Sequence, residues 1–224
     1  MVVDQIQPDT AGETAYRRIR HDIIFGRLAP GARLRLDRLR TAYEASVSTL
    51  REILYRLSSE GLVSAEGQRG FEVAPVSQQN FREVAAMREL LESHALRQSF
   101  ARGDVEWEGR VVAAHHKLAR MEARMLAGDR AATEDWKRYD WEFHRALISA
   151  CGSAALMETH AQIFDQYLRY QIIAVIFRGK VAAEEHRALL AAALDREAET
   201  AVAILKRHIE ACVRHTLDNG LLAA

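Results

Sequence analysis

The chain of 224 residues is 49 % apolar and 28 % charged, long enough for one large or two small domains with a buried core, and too apolar to be mostly disordered. Its 31 Lys and Arg balance 31 Asp and Glu, so the total charge points to no partner, although neutrality overall can hide a local patch. No apolar run nears the roughly 20 residues of a membrane span, the start MVVDQIQPDT is polar, and Cys151 and Cys212 make no disulfide framework, which excludes secreted, membrane-spanning and collagen-like readings and predicts a reducing cytoplasm with no membrane partner.

With only 12 Gly and 3 Pro, the chain is expected to be mainly helical. All three prolines, Pro8, Pro30 and Pro75, lie in the first third, which places a boundary near residues 74–78. Residues 1–11 read as a disordered tail. A first helix is predicted over Ala15–Phe25, where Ala15, Ile19, Ile23 and Ile24 recur at helical spacing and Gly26 stops the run. After the turn Ala29-Pro30-Gly31 comes a short helix over Asp37–Tyr43. Ser46 is placed to cap a third helix ending near Glu60, with Leu50, Ile53, Leu54 and Leu57 as its core stripe. The period then changes. Leu62–Ala65 and Phe71–Ala74 read as strands joined by Glu66–Gly70. Three helices and a hairpin within about 60 residues form the pattern of a winged helix-turn-helix over 12–76.

From Ser77 onward the pattern is helical throughout, and six helices are predicted, over 77–101, 105–127, 131–150, 153–178, 181–194 and 195–218, as an antiparallel all-α bundle filling 77–220. The first carries Phe81, Val84, Ala85, Arg88, Leu91 and Ala95 along one side.

Charge is concentrated at the front. Residues 16–56 hold ten Arg and four acids, a local excess of six positive charges in a neutral chain. Double-stranded DNA calls for such an excess, because arginines on phosphates release counterions and supply most non-specific affinity. A charge run alone is equally a solvated helix face; the helix-turn-helix around it favours DNA.

The stretch Ile23–Leu34 resembles the opening of GntR-family winged-helix regulators, SVSTLREILYRL from Ser46 resembles their recognition helix, and Glu60–Val63 with Gly70–Val73 resemble their wing. The resemblance implies a helix in the major groove and a wing tip near the minor groove. It assigns DNA contacts to Arg38, Ser46, Val47, Ser48, Thr49 and Arg51, and to Gln68, Arg69 and Gly70 at the wing tip. Many members carry Arg where this chain has Val47, and an apolar side chain can touch a thymine methyl but cannot bond guanine.

In the second half, Asp140 and His144 stand four apart on one predicted helix and project from one face, with His186 and His208 on two others. Such an i,i+4 pair is commonly a surface charge pair, yet a carboxylate and an imidazole so placed can share a divalent cation. The set resembles the FCD effector domain of the FadR branch of the GntR family, with six helices as in its VanR-like members. The resemblance makes Asp140, His144, His186 and His208 metal ligands. Three imidazoles and a carboxylate suit Zn or Ni better than Ca or Mg. A divalent ion with one Asp keeps one positive charge, which a small carboxylate effector would neutralise. Arg88 is the candidate to hold that effector, or else to pair with Glu92 one turn away.

The function expected is a metabolite-responsive regulator, a repressor by family habit, binding a palindromic operator as a homodimer. The competing readings are a metal-dependent hydrolase with an accessory DNA-binding head, disfavoured because no further Glu or His marks a general base, and a pure metal sensor.

Overall fold

The structure, a computed structural model, describes residues 10–65, 70–173, 177–220 and 222. It divides into two compact units, Met1–Val76 and Ser77–Ala224.

In the first unit, helix α1 (Ala11–Ile24) begins four residues earlier than the apolar spacing indicates, because the Thr10 side chain accepts the Glu13 N–H at 3.1 Å and caps it. The tail expected over 1–11 therefore ends by Thr10, and residues 1–9 lie outside the described residues. Helices α2 (Leu36–Tyr43) and α3 (Val47–Ser59) follow, α3 capped by Ser46 as anticipated. The inward stripe of α3 is Leu50, Ile53, Leu54 and Leu57, buried where α3 packs on α1 and α2. Strands β1 (Val63–Ala65) and β2 (Phe71–Val73) pair antiparallel, Val63 opposite Val73 and Ala65 opposite Phe71. The turn between them, residues 66–69, lies outside the described residues. The free edge of β2 is covered by residues 31–34: Gly31 N–H donates to Val73 O at 2.9 Å and Leu34 N–H to Phe71 O at 2.8 Å. This third run is too short to leave a period, so the sequence showed only its turn, where Gly31 takes φ +71°.

In the second unit six helices run α4 (Gln78–Arg102), α5 (Val105–Leu126), α6 (Thr133–Ile148), α7 (Ala154–Ile173), α8 (Lys180–Leu194) and α9 (Ala198–Asp218). A 3-10 turn, Arg130–Ala132, leads into α6. Helix α4 packs against α6, α7 and α9, while α5 packs against α6 and α8. Two bounds differ from expectation. Helix α7 was expected to reach 178, yet Phe177 and Arg178 lie outside any helix, just before Gly179 at φ +62°. Helix α9 was expected from 195, but Arg196 takes φ +59° and Glu197 N–H returns to Ala192 O, closing α8 with a turn. The inward face of α4 also differs. Leu91 is only half-buried, whereas Glu92 and Ser99 are buried beside Arg88, so the stripe is polar at its centre.

Trp107 anchors the α5 end of the bundle, fully buried, its Nε1–H donating to Ala146 O at 3.0 Å. Gly103 leaves room for it: a Cβ there would stand 2.5 Å from the indole ring. Gly103→Ala is therefore expected to destabilise the protein by about 1–3 kcal/mol, the usual cost of overpacking, read as a lower urea midpoint. An unchanged midpoint would show that Trp107 shifts without cost.

Candidate functional site

The ten arginines of residues 16–56 fall into two groups. Arg17, Arg20, Arg27 and Arg56 pair with Glu13, Glu60 or Asp22, and Arg18 donates to Ala42 O. Arg33, Arg35, Arg38, Arg40 and Arg51 are exposed and make no side-chain hydrogen bond or ion pair with the described residues. Arg51 projects from the first turns of α3 into an open cleft that it lines with Arg33, Arg35, Tyr55, Gly70 and Phe71. The structure thus adds Arg33 and Arg35 to the basic surface; Arg38 is exposed on α2 but does not line this cleft. Ser46 Oγ accepts the Thr49 N–H at 3.1 Å and lies 2.8 Å from the hydroxyls of Ser48 and Thr49, so its first task is the cap. Val47 is 41 % exposed at the start of α3, and Ser48 is exposed beside it. Gly70 takes φ +93° at the base of the wing, and Gln68 and Arg69 lie outside the described residues.

The second unit brings Asp140, His144, His186 and His208 together in its interior, each at most 3 % exposed. One donor atom from each histidine lies within 4.8 Å of the other two. Each imidazole is held in the same way. Glu92 Oε2 lies 3.0 Å from His144 Nδ1, Glu122 Oε1 lies 2.6 Å from His186 Nδ1, and Glu185 Oε2 lies 2.8 Å from His208 Nδ1. A carboxylate only accepts, so the proton sits on Nδ1 and each Nε2 keeps its lone pair. Arg178 Nη2 also approaches His208 Nδ1, at 3.0 Å, but it bonds Glu185 at 2.5 Å, which is its partner there.

This arrangement tests whether a cation fits. His144 Nε2 and His186 Nε2 have no hydrogen-bond partner among the described residues, and Asp140 Oδ1 lies 3.3 Å from His186 Nε2. Two acceptors so close, shielded from water, need a proton or a metal cation between them. Carboxylates orienting histidines from behind are the usual outer support of a metal site. His144, His186 and His208 could hold a divalent ion, with Asp140 as the carboxylate beside them.

Arg88 is fully buried and pairs with Glu92, the second of its two readings. Its Nε donates to Glu92 Oε1 at 2.7 Å, while Nη1 and Nη2 have no partner among the described residues. Its guanidinium carbon lies 4.5 Å and 4.6 Å from the ring centres of Phe164 and Tyr167. Glu92 also accepts from His160 Nε2 at 2.8 Å, so one carboxylate holds Arg88, His144 and His160.

Sequence reasoning missed Glu122, Glu185, Lys137 and Arg178, and saw Glu92 only as a partner for Arg88. Glu122 had a signal: it interrupts the buried run Trp107, Val111, Ala114, Leu118, Met125 at the position where an apolar residue belongs. Arg178 had none, because it stands between helices.

Two family models match the chain: bacterial regulatory proteins, gntR family, over residues 11–73, and the FCD domain over residues 83–211. The HTH-type transcriptional regulator BphR of Paraburkholderia xenovorans is 39 % identical over 94 % of this chain and 86 % of its own. The HTH-type transcriptional repressor GlaR of Escherichia coli is 31 % identical over 87 % of this chain and 90 % of its own. Among solved structures, E. coli McbR/YncC superposes with a TM-score of 0.80 at 19 % identity, over 95 % of this chain and 99 % of that one.

Burial pushes His208 down to about 3 and lowers His144 as well, so the fold favours both as neutral rings. In the unfolded chain they take up protons below about 6.5, so stability that is full above that pH is lost as pH falls. Burial would raise Glu185, but hydrogen bonds from His208 and Arg178 overcome it and hold the carboxyl at about 2, which adds a second loss below about 4.5. Chelator-treated protein is therefore expected to show a urea midpoint that declines from pH 7 to pH 5 and declines further below. A midpoint constant from pH 8 to pH 5 would contradict neutral, buried imidazoles.

Proposed function

The chain belongs to the gntR family of bacterial regulatory proteins and carries the FCD domain, so it is a DNA-binding transcriptional regulator and not an enzyme; we propose that it is a repressor released by a small carboxylic acid bound at a metal in its C-terminal bundle. In this reading residues 12–76 bind a palindromic operator, and residues 77–220 pair two copies and hold the effector. The repressor sense is supported by the name of the GlaR relative. Among the described residues no helix is long and apolar enough to cross a membrane, in keeping with work on cytoplasmic DNA.

The observation that carries the sensing half is the set of three imidazoles with their Nδ1 protons committed to carboxylates. Zn or Ni fits three neutral imidazoles and Asp140. The ion would leave one positive charge beside Arg88, whose two idle nitrogens are a ready fork for a carboxylate. The same idle nitrogens favour an organic effector over the ion as the whole signal. An acid that binds one arrangement of the bundle better than the other shifts the balance by that difference alone.

In the reading head, α3 lies in the major groove with Arg51 on a base edge and Val47 against a thymine methyl, while Arg33, Arg35 and Arg38 hold phosphates. Ser46, Ser48, Thr49 and the wing tip Gln68, Arg69 and Gly70 complete the contacts.

Operator affinity measured on chelated, metal-loaded and metal-plus-acid protein decides the sensing half: weakening only in the third sample is expected, and equal affinity in all three would defeat it. Arg51→Ala is expected to cost about 1–3 kcal/mol on the operator and relax specificity at one base. Arg33→Ala with Arg35→Ala should weaken all DNA alike and lower the salt slope by about 2, whereas Arg27→Ala, paired with Asp22, leaves it in place. His144→Ala with His208→Ala should strip metal, read by elemental mass spectrometry, and abolish the response to acid; full response without metal would separate the ion from the effector.

A further inference from the structure

Tyr55 is an exposed aromatic that neither the core nor the proposed DNA contacts account for. It stands on α3 one turn beyond Arg51, on the same face, and is 58 % exposed. A single exposed aromatic is ordinary on a protein surface. Its surroundings are what set Tyr55 apart. The ring meets Phe71 of β2 edge-on, with centres 5.0 Å apart and planes at 79°. It forms part of the wall of the open cleft beside Arg51, a space of about 690 Å³.

Its hydroxyl is uncommitted as well. Of the three tyrosines in the first unit, Tyr16 donates to Glu60 at 2.6 Å and Tyr43 to Asp22 at 2.7 Å. The Tyr55 hydroxyl makes no hydrogen bond with the described residues. Three arginines and one acid, Asp37, line the same cleft, so it has a surplus of positive charge and of donors.

The shape of DNA says what such a cleft receives. A major groove and the minor groove beside it are separated by one sugar–phosphate strand. With α3 in the first and the wing tip near the second, that strand has to pass between α3 and the hairpin. The cleft has those walls. Helix α3 gives Arg51 and Tyr55, the hairpin gives Gly70 and Phe71, and the segment bonded to β2 gives Arg33 and Arg35.

We propose that Tyr55 clamps this strand: its hydroxyl donates to a phosphate between the two grooves, and its ring packs against the adjoining sugar. Phe71 already holds the ring from one side, so little side-chain freedom is lost on binding. Tyr55 thereby fixes how deep α3 sits, and so which base edge Arg51 reaches, without reading a base itself. This rests on the reading of α3 as the major-groove helix with the wing tip near the minor groove.

The test uses the duplex that the full-length wild-type protein selects from a random pool, with a scrambled duplex of equal composition beside it. Tyr55→Phe keeps the ring and its contact with Phe71 and removes only a donor. It is expected to bind both duplexes about ten-fold more weakly, the effect of losing one hydrogen bond to a charged group. The salt slope should stay as in the wild type because no cation is lost, whereas Arg35→Ala should lower it by about 1. Selection repeated with Tyr55→Phe should return the same sequence. Uncharged methylphosphonate links, placed one at a time in the selected duplex, should reveal a position at which Tyr55→Phe costs nothing further. A urea midpoint equal to that of the wild type shows the variant to be folded. Should the midpoint fall, the wild-type protein decides: nitration of Tyr55 by tetranitromethane should be suppressed by the selected duplex. Wild-type affinity in Tyr55→Phe, an altered selected sequence, a loss that no methylphosphonate link absorbs, or unhindered nitration in the complex overturns the proposal and leaves a DNA-binding regulator intact. If the wild-type protein selects no duplex, the proposal falls together with the reading of α3.

Discussion

The interior of the helical unit is organised by three bonds of one kind, an imidazole N–H given to a glutamate, and the placing of every helix answers to them. Glu92 of α4 takes His144 of α6, Glu122 of α5 takes His186 of α8, and Glu185 of α8 takes His208 of α9. Helix α7 joins through His160, which shares Glu92. Hydrogen bonds to charged groups contribute about 1.5–3 kcal/mol each, but desolvating the carboxylates offsets much of that. A well-packed apolar core of equal volume would be about as stable. What the network provides is definition: it fixes the tautomer of three rings and turns three lone pairs toward one point.

Electrostatics in the first unit work in the opposite way, by leaving charge unmatched. Glu60 and Glu13 take up Arg20 and Arg56, which tie α1 to the α3 end, Glu13 and Asp22 take up Arg17 and Arg27 close by in the chain, and Arg18 reaches α2 through Ala42 O. The exposed guanidiniums that remain, five among the described residues, stand on α2, on the start of α3 and on the segment that covers β2. Pairing them internally would have gained little, since exposed ion pairs contribute at most about 1 kcal/mol. Left free, each can displace a counterion from nucleic acid. The segment 31–34 illustrates the link from backbone to function: its ladder bonds to β2 hold Arg33 and Arg35 on the same side as Arg51.

Most of the fold was legible in the sequence because helices here are long and bounded by ordinary signals. Ser46 and Ser77 cap where their hydroxyls predicted, and the α3 stripe is the one its spacing gives. Legibility failed where backbone conformation has no side-chain period to announce it. The covering run at 31–34, the end of α7 and the turn at Arg196 are of this kind. Of the buried cluster, the sequence revealed the histidines and Asp140 through residue type and spacing, and Arg88 as an anomaly on an apolar face. It hid Glu185, because a Glu on a helix is ordinary until the neighbouring helix is known, and marked Glu122 only as a break in an apolar run. Packing shows that Glu122 meets His186 in the interior while Glu142 pairs with Lys117 at the surface.

The anomalies that join one another are themselves an argument. Arg88, Glu92, Glu122, Lys137 and Asp140 each break the rule that a buried helix stripe is apolar, and each is paired with a histidine of the cluster or with another of the five, whereas Asp165 and Arg169 of α7 are buried charges outside that set. The face of α3 that packs in the first unit contains no such breach. Sequences that specify a fold satisfy local rules nearly everywhere, and depart from them where something other than stability is selected. Scattered departures would read as tolerance. Five departures around three imidazoles, with unpartnered donors on Arg88 and Trp136 and unpartnered Nε2 atoms on His144 and His186 among the described residues, mark a polar interior selected for something other than packing.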